Sequence, residues 1–158
     1  DMTRAVMTKK GYEALQEKLR KLKTVERPQV IKEIQEAVSH GDLSENAEYD
    51  AAKEKQGFVE SKISEIEQKL AVAEVIEPKT IASDKVVFGA TVRLKDLDRN
   101  EEMQYQIVGE DEADPAAGRI SIASPVARVL IGKEEGDFAE VKSPKGSRNF
   151  EILGISFD

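Results

Sequence analysis

Two carboxylates, Asp42 and Glu45, stand three residues apart in the stretch His40-Gly41-Asp42-Leu43-Ser44-Glu45-Asn46-Ala47-Glu48-Tyr49, and they are the residues here whose spacing most readily suggests chemistry. The same spacing has a simpler use. Asp-x-x-Glu is a capping box, in which Asp42 accepts from the backbone at Glu45 and Glu45 reaches back, with Gly41 closing the preceding helix. On spacing alone the cap is favoured. The chemical reading is that both carboxylates face outward and bind a divalent cation. Magnesium prefers six oxygens in tight octahedral geometry and gives up water reluctantly, so two carboxylates on a solvated turn hold it weakly. They become useful in trans, where a partner already holds a metal and a phosphodiester, because two added carboxylates can complete the coordination of a second ion. Asn46, Tyr49, Lys53 and Lys55 lie beside the pair and offer hydrogen bonding, stacking and charge to a nucleic-acid end. Lys53 and Lys55 read equally as an exposed helix face paired with Glu48, Asp50 and Glu54, and Tyr49 as a residue of a helix seam.

The elements that would position these groups are two long helical patterns. Tyr12, Leu15, Leu19 and Leu22 repeat at spacings of three and four from a start that Thr8 can cap. Ile31, Ile34 and Val38 resume the spacing out of phase, with Pro28 at the slip, so a kink near Pro28 is expected rather than an end. Val59, Ile63, Ile66, Leu70 and Ala73 form a second seam. The two can zip as an antiparallel pair whose arms of about 30 residues measure roughly 45 Å at 1.5 Å per residue. After Pro78 the period changes. Val86-Val87-Phe88, Thr91 to Leu94, Met103 to Val108, Arg119 to Ala123, Phe138 to Lys142 and Phe150 to Phe157 are short runs of strand character, separated by turn residues. Ser124-Pro125 opens a short helix that stops at Gly132. The expected fold is α plus α+β: an antiparallel coiled-coil hairpin over 1–76, a linker over 77–85 and a small α+β domain over 86–158.

Composition narrows the class. Of the 158 residues 35% are charged and 5% aromatic, which suits long solvated helix faces better than a compact enzyme. There is no cysteine and a single histidine, His40, so any metal here is held by oxygen. No apolar run is long enough to span a bilayer and no secretory signal core is evident, so the expected location is the cytoplasm without a membrane partner. A net charge of -7 argues against a domain that coats phosphates.

The run from Gly41 to Tyr49, followed by Ala52-Lys53-Glu54-Lys55-Gln56, closely resembles the tip of the bacterial transcript cleavage factors of the Gre family. Further matches follow in family order: Phe88-Gly89-Ala90-Thr91-Val92, Ile107 to Glu112, Ile120-Ser121, Ser124-Pro125-Val126-Ala127-Arg128, and Ile131 to Asp137. They cover nearly the whole chain. The resemblance implies an N-terminal coiled coil that enters the secondary channel of bacterial RNA polymerase, and a C-terminal FKBP-like domain that docks on a coiled coil at the channel rim. It implies that Asp42 and Glu45 help bind the second magnesium ion of the polymerase active site, which cuts the nascent RNA 3′ end displaced by backtracking. The chain would then be a monomeric cofactor of an enzyme and no enzyme itself, with magnesium shared in the complex and not bound tightly by the free protein. Ser121, Ser124, Pro125 and Arg128 fall in the implied docking region, although Ser124 and Pro125 also make an ordinary helix start. Val38 and Ser44 stand where some relatives carry basic side chains. Two other functions fit the pattern: a Gre-like channel binder that inhibits or remodels polymerase without cleavage, and a prefoldin-like chaperone, which would need more exposed apolar surface near the hairpin end than Leu43 provides.

Overall fold

Leucines and isoleucines three and four apart give each helical arm one apolar stripe. In a computed structural model of the chain, which describes residues 5–39, 41 and 47–158, those stripes meet. Helix α1 spans Lys9–Lys21 and α2 spans Arg27–Ser39, with a π-helical turn, Leu22–Glu26, between them. Helix α3 runs unbroken over Ala47–Val72. Leu22, Val30, Val59, Ile63 and Ile66 are buried together, flanked by Leu15, Leu19, Ile34 and Leu70. The pairing is antiparallel, because the inter-helix ion pairs climb one arm as they descend the other: Lys23 with Glu67 at 2.7 Å, Arg27 with Glu60 at 2.8 Å, Glu33 with Lys55 at 3.3 Å.

The second seam is the expected one up to Leu70, and Ala52 extends it; Ala73 instead begins a strand. The first seam differs past Pro28. Val30 and Ala37 are each 1% exposed, whereas Ile31 and Val38 are 41% and 47% exposed, so the stripe runs through Val30, Ile34 and Ala37 and not through Ile31, Ile34 and Val38. The π-turn is the reason: it absorbs one extra residue and resets the phase before Pro28. It also widens the backbone where the proline ring would otherwise press on the carbonyl four residues back, and the helix continues through Pro28.

The chain divides into two compact units, Tyr12–Ala73 and Asp1–Gly11 with Glu74–Asp158. These boundaries fall differently from 1–76, 77–85 and 86–158. Strand β1, Ala5–Thr8, pairs with β2, Ala73–Ile76, so both ends of the helical segment leave through a two-stranded sheet. Residues 77–85 are also integrated: Pro78 is buried, and Lys85 bridges to Glu134.

The larger unit is built on β3 (Thr91–Asp96), β4 (Glu101–Val108), β5 (Arg119–Ser121), β6 (Phe138–Ser143) and β7 (Gly146–Ser156), in the order β5-β4-β3-β7-β6. All neighbours are antiparallel except β4 and β5, and a bulge at Arg93/Leu94 bends β3 against β7. Val92 and Leu94 on β3, Ile107 on β4, and Phe150 and Ile152 on β7 form the core with Ala127 and Leu130 of the short helix α4, Pro125–Leu130. This is the expected α+β domain. Val86-Val87-Phe88 is no strand of it: Val86 exchanges backbone bonds of 2.8 Å with Lys133 and Gly132, and a tight turn at Gly89 (φ 88°) follows. Val86 is buried, and Val87 and Phe88 half-buried, without a ladder.

One side chain ties the N-terminal segment down. Thr8 caps α1, its hydroxyl accepting from the Gly11 N–H at 3.1 Å, as expected. The same Thr8 donates its N–H at 2.9 Å and its hydroxyl to the Glu112 carboxylate, which also accepts the Gly109 N–H at 3.0 Å. Gly11 is required by this contact, since a Cβ there would lie 2.2 Å from the Glu112 carboxyl group.

Candidate functional site

The hairpin end is closed on the α2 side by Gly41, whose φ of 99° is the left-handed conformation in which glycine terminates a helix. Its N–H donates to the Val38 carbonyl at 3.2 Å, and the Ser39 hydroxyl to the Glu36 carbonyl at 2.6 Å. Asp42, Glu45 and Asn46 lie outside the described residues, and with them the capping-box question. On the other side α3 starts at Ala47 with Glu48 and Asp50 in its first turn, where the helix dipole favours negative charge.

Tyr49 is half-buried and shares the face of Ala52, Gln56, Val59 and Ile63, which places it on the seam side of α3. Lys53 and Lys55 are exposed, but their partners are not the acidic neighbours the sequence suggests. The Lys53 ammonium donates to the Gln56 side-chain oxygen at 3.0 Å. Lys55 crosses the hairpin to the Glu33 carboxylate at 3.3 Å. Glu33 was not singled out from sequence; the signal that would have found it is the antiparallel register, which sets it opposite Lys55. Pairs this exposed contribute little stability and exchange readily for another anion, so the register leaves two cations within one helical turn of each other near the hairpin end.

Among the described residues no group of three or more His, Asp or Glu side chains gathers to hold a metal. The donor type at the hairpin end is nevertheless right for magnesium, since Asp42 and Glu45 supply hard carboxylate oxygens. What they lack is number, and the remaining ligands have to come from elsewhere.

The second candidate surface lies at the start of α4. The Ser124 hydroxyl accepts the Ala127 N–H at 3.2 Å and Pro125 occupies the first helical turn, so the pair is a helix start as the sequence indicates. The Ser121 hydroxyl accepts the Ala123 N–H at 3.0 Å, and the Ser121 carbonyl accepts the Ser124 N–H at 2.9 Å. The structure therefore brings Ser121, Ser124, Pro125 and Arg128 onto one turn-and-helix segment. Pro125 and Arg128 are exposed, and both hydroxyls keep a proton to donate. Ile131, exposed just past the helix, extends this surface and is not among the docking candidates read from sequence.

Residues 5–75 match the sequence model "Transcription elongation factor, N-terminal", and residues 81–157 match "Transcription elongation factor, GreA/GreB, C-term". Among similar curated proteins, "Transcription elongation factor GreA" of Verminephrobacter eiseniae is 58% identical over 157 residues, covering 99% of each chain. The protein of the same name from Neisseria meningitidis serogroup A is 56% identical over 157 residues, again covering 99% of each. Among solved structures, the GreA factor homolog 1 of Thermus thermophilus is 28% identical, covers 97% of this chain and 99% of its own, and gives a TM-score of 0.45.

Proposed function

We infer the function from one premise: the chain belongs to the GreA/GreB family of transcription elongation factors. From it we propose that the protein works on RNA polymerase, with the hairpin end inserted in the secondary channel of the enzyme and the sheet unit docked at its rim. There it stimulates the polymerase's own cleavage of backtracked RNA and so rescues arrested complexes. The observation that carries this reading is the similarity of both units over the full chain, at more than half identity.

Each group then has a defined task. Asp42 and Glu45 would supply carboxylate oxygens to a magnesium ion shared with the polymerase, whose chemistry when bound would be to polarise the attacking water and the scissile phosphate. The carboxylates thereby help orient the water, and their negative charge keeps the added site neutralised. Asn46 hydrogen-bonds and Tyr49 stacks at the RNA 3′ end, while Lys53 and Lys55 exchange Gln56 and Glu33 for phosphate oxygens. Ser121, Ser124, Pro125 and Arg128 make the docking contact, the hydroxyls donating hydrogen bonds and Arg128 presenting a planar cation to an acidic surface. Bond cleavage itself belongs to the polymerase.

The test is a stalled elongation complex with labelled RNA, magnesium and purified protein. Short products cut from the 3′ end are expected. Asp42→Asn or Glu45→Gln is expected to lower the rate on the order of a hundredfold, while competition for polymerase stays at the wild-type level. Full cleavage by the double variant would end the metal role.

A further inference from the structure

The first arm of the hairpin carries an interruption that the second arm lacks. In Leu22–Glu26 the Arg27 N–H donates to the carbonyl of Leu22, five residues back. Leu22 and Val30 are both buried although they lie eight positions apart. On a regular helix that spacing leaves two side chains about 80° apart, and one residue absorbed in a wider turn brings them within about 20°. The π-turn thus keeps the seam in phase, but a shorter arm would do so without it.

Locally the turn is weak. Residue 28 is proline and the Arg27 N–H is already bonded to Leu22, so the carbonyl of Lys23 has neither its α nor its π donor. Of the five residues only Leu22 is buried, and Val25 is 57% exposed. The Thr24 hydroxyl donates back to the Arg20 carbonyl at 2.8 Å, a side-chain bond that competes with the helical ladder and bends helices. Opposite this turn α3 passes without interruption.

We propose that Leu22–Glu26 is a hinge at which the first arm bends while α3 holds the two helices together. In a protein that must enter a partner's channel, this hinge lets the hairpin follow the channel without losing its seam. That use rests on the function proposed above; the hinge itself does not.

Hydrogen exchange on the full free chain tests it directly. Amides at 23–27 and 29 are expected to exchange at least about tenfold faster than those at 13–19 or 60–68. Deleting Val25 together with Pro28→Ala restores a regular helix with its seam in phase, and is expected to slow the segment to the rate of its neighbours. Cleavage in arrested complexes is expected to slow about tenfold with the straightened arm, while competition for polymerase is retained. Equal exchange across the first arm of the wild-type protein overturns the hinge, and full cleavage by the straightened variant overturns its use. Should the deletion not fold, Pro28→Ala alone is expected to slow exchange at 23–27 and 29, and unchanged exchange counts against the proposal. If the cleavage reading itself fails, the wild-type protein is inactive and matches Asp42→Asn, and the exchange rates still decide the hinge.

Discussion

The two units are stabilised in different ways. In the hairpin seven buried side chains among the described residues stand in a single file between two helices, and each helix keeps the rest of its circumference in water. In the sheet unit eleven buried residues from five strands, α4 and the segment around Val86 share one core. A side chain lost from a file leaves a gap into which neighbouring long side chains can lean. A side chain lost from the shared core leaves a cavity closed by a sheet that cannot collapse on it. Phe150→Ala is therefore expected to cost the sheet unit about 3–5 kcal/mol, and Ile63→Ala to cost the hairpin about 2–4 kcal/mol. Urea unfolding followed by helical circular dichroism and by NMR signals of β3 and β7 separates the two. The contrast breaks down if either substitution shifts both signals equally, because the units would then unfold as one.

The same contrast explains what could be read from sequence. The α3 seam of Val59, Ile63, Ile66 and Leu70 was legible because nothing interrupts its period. The α2 seam was misplaced onto Ile31 and Val38, since a π-turn leaves no mark in composition and shows only as a slip that a proline is enough to explain. Short β-branched and aromatic runs between turn residues made five strands legible, but Val86-Val87-Phe88, a run of the same kind, is no strand, because composition alone does not supply a pairing partner. Strand β1 was missed for the opposite reason: it abuts a helix and pairs with residues some seventy positions away. At the candidate site, Ser124-Pro125 was legible because a helix cap is local. Asp42 and Glu45 were legible only as a motif. The Lys55–Glu33 pair and the Glu112 clasp on Thr8 were not legible at all, since each depends on a register that no single segment encodes.

Acid acts on both units but is resisted differently. Asp96 is 1% exposed, and burial alone would raise its pKa; the N–H groups of Arg99 and Asp98, at 3.0 and 2.9 Å, and the Arg148 guanidinium at 3.4 Å outweigh that and hold it below the ordinary carboxylate value. In the hairpin the Glu60 pKa is lowered by its hydrogen bonds to Arg27, with both partners exposed. A carboxylate with a depressed folded-state pKa contributes stability that is fully present above its unfolded pKa and is lost as pH falls through the folded one. Both units are thus expected to weaken below the usual aspartate and glutamate range. The hairpin's share should fall further in high salt, because ions screen an exposed pair far more than a buried carboxylate held by backbone N–H groups. Asp96→Asn is expected to flatten the acid limb of the sheet unit at any ionic strength. An acid limb unchanged by that substitution would show that Asp96 is not the group being titrated.

The smallest expected effect separates a strut from a contact. Lys55 and Glu33 join the two helices at 3.3 Å with the lysine side chain 55% exposed, so breaking the pair is expected to cost less than about 1 kcal/mol. Lys55→Ala and Glu33→Ala should then be nearly equal in thermal stability, and the double variant no worse than either. If Lys55 also meets RNA phosphate, the two single variants part company in the cleavage assay. Lys55→Ala slows cleavage, and does so less as salt is raised, because the lost contact was ionic. Glu33→Ala frees the same ammonium group and leaves cleavage unchanged or faster. Equal cleavage by both variants would reduce Lys55 to a strut, and the proposed RNA contacts of the hairpin end would then be left to Asn46, Tyr49 and Lys53.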